Sequence, residues 1–314
     1  MVFWFLFVAS LLILWKSADG FVDASESLAI HLKLPSVIIG ATVVAFGTSA
    51  PELFVTMFAA ADNQADVVYG SIFGSNMANI FFIFGLALLI IGLQNMEELK
   101  KQLVNHAISL SIILGIVVFL QPSLFTSTLA LLLFLGINWG MFKQGNRLND
   151  TTPPTEKGTL LKLITLFFIC LLLLIASSKC LLYALTNIAT LFGFSTAFLS
   201  LFAVAFGTSL PELMATIAFA KKGHASIIVG NVFGSNLFNL LLVLPMAWLV
   251  APLPFLSRYF FEILCLFVIT IVIAMFSKAF HKYHRAIGVA LLVTYATYIG
   301  VTYTNVMSKF SLFS

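Results

Sequence analysis

Two ten-residue stretches of this chain each place a glutamate behind small, oxygen-bearing residues: VAFGTSAPEL over Val44–Leu53 and VAFGTSLPEL over Val204–Leu213. Only Ala50 and Leu210 differ, and the offset between the stretches is 160 residues. Thr48 and Ser49 precede Glu52 by four and three residues, as Thr208 and Ser209 precede Glu212. That spacing puts side chains on one face of a helix. A second pair of stretches recurs at the same offset, GSIFGSNMAN over Gly70–Asn79 and GNVFGSNLFN over Gly230–Asn239. It adds Ser75 with Asn79 and Ser235 with Asn239, each pair four residues apart. The inventory is two carboxylates with hydroxyl and amide oxygens. Hard cations such as calcium and sodium want oxygen donors, and calcium takes about six to eight of them. Cys170, Cys180 and Cys265 stand at no metal-ligand spacing, and no His–Cys cluster favours zinc or copper. A phosphate-cradling G-x-x-x-x-G-K-[ST] loop is absent, which argues against ATP as the energy source. No nucleophile–base constellation points to an enzyme.

The elements holding these residues must be helices that break. Pro51 lacks an N–H and clashes with the carbonyl four residues back, at Gly47; Pro211 does the same to Gly207. The sequence therefore predicts an interruption around each Gly-Thr-Ser, and carbonyls freed at membrane depth can coordinate cations. Gly70 with Gly74, and Gly230 with Gly234, are small-xxx-small pairs that permit close backbone approach.

The solvent for such helices is lipid. Hydrophobic residues make up 61% of the chain and charged residues only 9%, with a mean hydropathy of +1.09, whereas a soluble domain carries about 25% charge. A spanning helix needs about 20 apolar residues. That ruler marks ten spans: Val2–Leu32, Val37–Ala61, Val67–Leu93, Leu103–Leu120, Leu124–Phe142, Leu160–Phe192, Thr196–Ala220, Ala225–Val250, Tyr259–Phe276 and Ala286–Val306. Alternation then puts twelve Lys and Arg residues in loops on one side and only Arg258 and Lys309 on the other. Short basic loops stay cytoplasmic, so both termini are expected outside the cytoplasm, in a cell-membrane protein. Residues 1–143 form a first five-helix repeat, 144–158 a cytoplasmic connector and 159–314 a second repeat. Five is odd, so the second repeat enters the membrane upside down relative to the first. The expected fold is thus all-α and polytopic, ten transmembrane helices as two inverted five-helix repeats. Glu52 and Glu212 fall inside apolar spans, where an ionisable residue marks function by default. Inversion brings them together at the midplane. Lys16 and Asp19 are read as an ion pair within the first helix, and His106 as a solvated residue at a span entrance. The net charge of +4, with no basic stripe, argues against nucleic acid as a partner. The bilayer and the ions are the expected partners, and no obligatory protein partner or cofactor is evident.

GTSAPEL and GTSLPEL, followed by GSNMAN and GSNLFN, resemble the paired alpha-repeats of the calcium/cation antiporter superfamily, and within it the sodium/calcium exchanger branch of prokaryotic type. The resemblance implies alternating access at one midplane site, with calcium and sodium as the transported ions. Glu52 and Glu212 would be the main ligands. Thr48, Ser49, Thr208, Ser209, Ser75 and Ser235 would add oxygens, with backbone carbonyls near Ala45 and Ala205. Asn79 matches the family asparagine. Asn239 stands where some members have aspartate, which removes one negative charge and argues against potassium co-transport. Proton-coupled calcium export through the same carboxylates, and a cation channel, are the alternatives.

Overall fold

The computed structural model describes residues 2–91, 96–145, 159–191, 209–255, 257–275 and 277–311. These residues are helical throughout, apart from short connections. In chain order the helices are α1 (Val2–His31), α2 (Ser36–Thr48), α3 (Ala50–Ala61), α4 (Ala65–Ile90), α5 (Met96–Gly115) and α6 (Leu124–Gly145). The second half has α7 (Leu160–Leu191), α8 (Leu210–Lys221), α9 (Ala225–Val250), α10 (Phe260–Met275) and α11 (Ser277–Ser311), kinked at Tyr283. Seven are long and apolar enough to cross a membrane, and the bent pair α2–α3 makes an eighth crossing. Of the ten expected spans, the seventh is described only from residue 209 onward, and the ninth, α10, is a 16-residue apolar helix. The fold is that of an all-helical polytopic membrane protein. The connector over 146–158 lies outside the described residues.

Burial divides the helices by role. Over their most apolar windows α9 is 94% buried and α4 78%, whereas α6 and α11 are each 17% buried. The outer helices turn Phe5, Trp139 and Leu161 outward, side chains that suit lipid. The inner helices carry the serines and asparagines, because a polar side chain in hydrocarbon needs a protein partner or a water-filled cavity.

Close backbone contact sets the middle of the molecule. A methyl on Gly230 would lie 2.2 Å from the Val37 carbonyl oxygen, and one on Gly234 would lie 2.5 Å from Ala41 Cα. One on Gly40 would meet the Ile227 oxygen at 2.4 Å. The second small-xxx-small pair thus presses α9 directly onto α2, backbone to backbone. In the first half, a methyl on Gly70 would lie 3.1 Å from the Tyr259 hydroxyl oxygen.

The first helices of the two halves, α1 and α7, are each other's principal packing partners, with Phe21 and Phe167 rings 4.9 Å apart. At one end of α1, Asp23 pairs with Lys222 at 2.7 Å, Glu26 with His224 at 3.3 Å, and Lys221 lies 3.9 Å from the Trp15 ring centre. Asp19 does not pair with Lys16. It accepts from Trp15 Nε1 at 3.0 Å, because the four-residue spacing puts that indole over the carboxylate, while Lys16 points outward.

Candidate ion-binding site

Both glutamates sit in the first turn of a helix that begins just after a serine with non-helical backbone angles. Ser49 has φ −87° and ψ 6°, and α2 and α3 diverge by 47° there. Ser209 has φ −88° and ψ 2° ahead of α8. Each of these serines is followed by a proline in the first two helical positions, where its missing N–H costs nothing. The first turn of a helix carries partial positive charge, so each carboxylate sits at a favourable end. Glu52 and Glu212 are each 1% exposed.

The hydroxyls do not serve the glutamate of their own stretch. Ser49 Oγ donates to Glu212 Oε1 at 2.9 Å, across the halves. Ser75 Oγ donates to Glu52 Oε1 at 3.3 Å, and Ser209 Oγ donates to Ser75 Oγ at 3.4 Å. Thr48 Oγ1 lies 3.1 Å from the Val44 carbonyl and 3.4 Å from Asn231 Oδ1. The Ala45 carbonyl accepts the Ser49 N–H at 3.0 Å and lies 3.5 Å from Thr48 Oγ1. Thr208 and Ala205 lie outside the described residues. Among the described residues, then, the hydrogen bonds form two groups that each span the halves, Ser49 with Glu212, and Glu52 with Ser75 and Ser209.

Next to it lies a reciprocal asparagine quartet. Asn79 Nδ2 donates to Asn236 Oδ1 at 2.9 Å, and Asn239 Nδ2 donates to Asn76 Oδ1 at 3.1 Å. Asn76 and Asn236 are equivalent under the 160-residue offset, as are Asn79 and Asn239. Each amide ligand candidate is therefore turned by the neighbour of its counterpart. Their nitrogens engaged, Asn79 Oδ1 and Asn239 Oδ1 have no hydrogen-bond partner among the described residues, nor do Glu212 Oε2 and Ser235 Oγ. A buried polar atom without a partner costs about 1–3 kcal/mol. Three such oxygens beside the carboxylates, with Glu212 Oε2 as a fourth, are what a dehydrated cation would satisfy. Helix geometry widens at the same place: π turns run over Ala78–Phe84 and Asn239–Val243, a distortion common at functional sites.

Reading the sequence alone overlooked Asn76, Asn236 and His106. The asparagines were visible as repeat matches, and their equivalence under the offset was the available signal. His106 is not a solvated residue at a span entrance. It is 0% exposed, because α5 begins at Met96 and carries it about ten residues, roughly 15 Å, into the bundle. There it contacts Thr270 and Asn236.

Two acids, each in the first turn of a helix, beside buried oxygens inside a polytopic helical bundle, are the arrangement of a membrane cation antiporter. The chain belongs to the sodium/calcium exchanger protein family, which it matches over residues 2–143 and again over 162–304. It is 32% identical over 259 residues to inner membrane protein YrbG of Escherichia coli K12, covering 79% of each chain. It is 27% identical to sodium/calcium exchanger MaX1 of Methanosarcina acetivorans, covering 93% of this chain and 96% of the relative. Its fold superimposes with a TM-score of 0.82 on the sodium-calcium exchanger NCX_Mj soaked with 2.5 mM Na+ and 1 mM Sr2+, at 26% identity over 96% of this chain and 98% of that one. It is a multi-pass, calcium/cation exchanger-like antiporter.

Proposed function

We propose that this chain exchanges calcium for sodium by alternating access around one site, held by Glu52 and Glu212 with Ser49, Ser75, Ser209, Ser235, Asn79 and Asn239. The observation that supports it most is the set of buried oxygens, Glu212 Oε2, Ser235 Oγ, Asn79 Oδ1 and Asn239 Oδ1, that lack a hydrogen-bond partner among the described residues. Two carboxylates neutralise one divalent ion or two monovalent ones, so calcium and sodium compete for the same groups, and competition is the basis of exchange. The relatives named as sodium/calcium exchangers support the same pair of ions. Thr48, Thr208 and the carbonyls of Ala45 and Ala205 complete the proposed shell.

Energetics favour more than two sodium ions per calcium. A roughly 10⁴-fold calcium gradient opposes export by about 5.5 kcal/mol. A tenfold sodium gradient supplies about 1.4 kcal/mol per ion, and each net charge about 2.3 kcal/mol per 100 mV. Three sodium ions, moving one net charge, suffice under those gradients; two do not.

In the proposed orientation both termini are extracytoplasmic and the connector over 144–158 is cytoplasmic, as the basic-residue asymmetry requires.

The deciding experiment is calcium uptake into proteoliposomes loaded with sodium, potassium or a proton gradient. Uptake driven by internal sodium and by neither alternative is the expected result; uptake driven by protons would overturn sodium coupling. Glu52→Gln and Glu212→Gln are each expected to reduce exchange by at least a hundredfold while the protein still inserts and purifies, and normal exchange by either would remove the site assignment.

A further inference from the structure

His106 has no counterpart in the second half, where the offset puts Leu266. Its surroundings dictate its hydrogen-bond polarity. The Thr270 hydroxyl has one hydrogen and donates it to the Leu266 carbonyl at 2.6 Å. While that bond is made, Thr270 accepts from His106 Nδ1, 2.8 Å away, and Nδ1 carries the proton. In the neutral imidazole Nε2 is then an acceptor, and it faces Asn236 Nδ2 at 3.5 Å. The same Asn236 nitrogen also faces the Asn76 carbonyl at 3.4 Å. With two acceptors against its nitrogen, the Asn236 amide is turned so that Oδ1 meets Asn79 Nδ2 at 2.9 Å. Asn79 Oδ1 is left without a partner. Across the offset, Asn76 Nδ2 has no partner among the described residues, so no described residue holds that amide as His106 holds Asn236.

We infer that His106 is a positioning residue for ion binding: through Asn236 it fixes the Asn79 amide with its oxygen toward the cation. The chain of contacts runs from the Leu266 carbonyl through Thr270, His106 and Asn236 to Asn79. A protonated His106 would present two N–H groups and turn Asn236 the wrong way, so the imidazole works only as the neutral Nδ1–H form. This inference rests on the proposed ion site and adds the group that orients one of its ligands.

The test is calcium binding to the full-length purified protein, measured calorimetrically for the wild type, His106→Phe, His106→Gln, Asn79→Ala and the double variant His106→Phe/Asn79→Ala. Loss of one neutral hydrogen bond in the chain should raise the calcium dissociation constant up to about tenfold in His106→Phe. Gln, which can accept and donate through one amide, should restore binding to within about threefold of wild type. A residue acting through Asn79 adds nothing once Asn79 is gone, so the double variant should bind within about twofold of Asn79→Ala. A purely structural role would instead give multiplicative losses. Nitrogen NMR of the labelled protein should show His106 protonated at Nδ1 and bare at Nε2. Multiplicative losses, the opposite tautomer, or unaltered affinity in His106→Phe would each overturn the inference. Glu212→Gln, run alongside, separates the two readings: unaltered calcium binding there overturns the site itself, whereas lost binding there with normal His106→Phe overturns only the role of His106.

Discussion

At the residue scale, the two amide ligand candidates are chemically identical and structurally unequal. Asn236 is held at both ends of its amide, by His106 and the Asn76 carbonyl on one side and by Asn79 on the other. Asn76 is held at its oxygen by Asn239, and its nitrogen has no partner among the described residues. A carboxylate in place of Asn239 would need a donor where Asn76 Oδ1 now sits, and the Asn76 amide can rotate to supply one. In place of Asn79 it would need Asn236 to rotate against two acceptors. Asn239→Asp is therefore expected to unfold near the wild-type temperature and Asn79→Asp to lose about 1–3 kcal/mol more, read by thermal unfolding in detergent without ions. The hydroxyls differ too. Ser49 donates to a carboxylate at 2.9 Å, and Ser209 to another hydroxyl at 3.4 Å. Since bonds to charged groups are the stronger ones, Ser49→Ala should shift half-saturating calcium more than Ser209→Ala in flux measurements.

At the element scale, the break at Ser49 was legible from Pro51, because a missing N–H and a ring clash act within one turn; the matching stretch before Ser209 lies outside the described residues. The spans were legible from their length and apolarity, and the repeat from plain identity at a fixed offset. The partners of the hydroxyls were not. The i+3 and i+4 rule looks along a single helix and paired Ser49 with Glu52, whereas docking of the inverted halves delivers Ser49 to Glu212. The burial of His106 was hidden for a similar reason: Lys100 and Lys101 suggested a helix mouth, while α5 already starts at Met96. The glycine contact between α2 and α9 yields a direct test. Gly234→Ala would drive a methyl to 2.5 Å from Ala41 Cα, and backbone cannot retreat as a side chain can. Overpacking of this kind costs about 1–3 kcal/mol. Gly136→Ala, at a position with no atom within 4 Å of the added carbon, should be neutral or slightly stabilising through helix propensity. Thermal unfolding of the two variants compares them.

At the scale of the whole molecule, the ends of the bundle are tied unequally. Lys222 bonds Asp23 at 2.7 Å, while the offset puts Asp62 where the second half has Lys222, and Tyr183 where the first has Asp23. The pair is exposed, with side-chain exposures of 30% and 64%, and such pairs contribute about 0–1 kcal/mol in water. Asp23→Asn should accordingly lower the unfolding temperature only slightly, and less at high salt than at low salt. A larger consequence follows from the serine that crosses between repeats. A polypeptide ending at the connector would carry Glu52 and Ser49 but neither Glu212 nor Ser209. Its Ser49 would have no Glu212 carboxylate to donate to, so one repeat alone carries only half of the proposed ligand set.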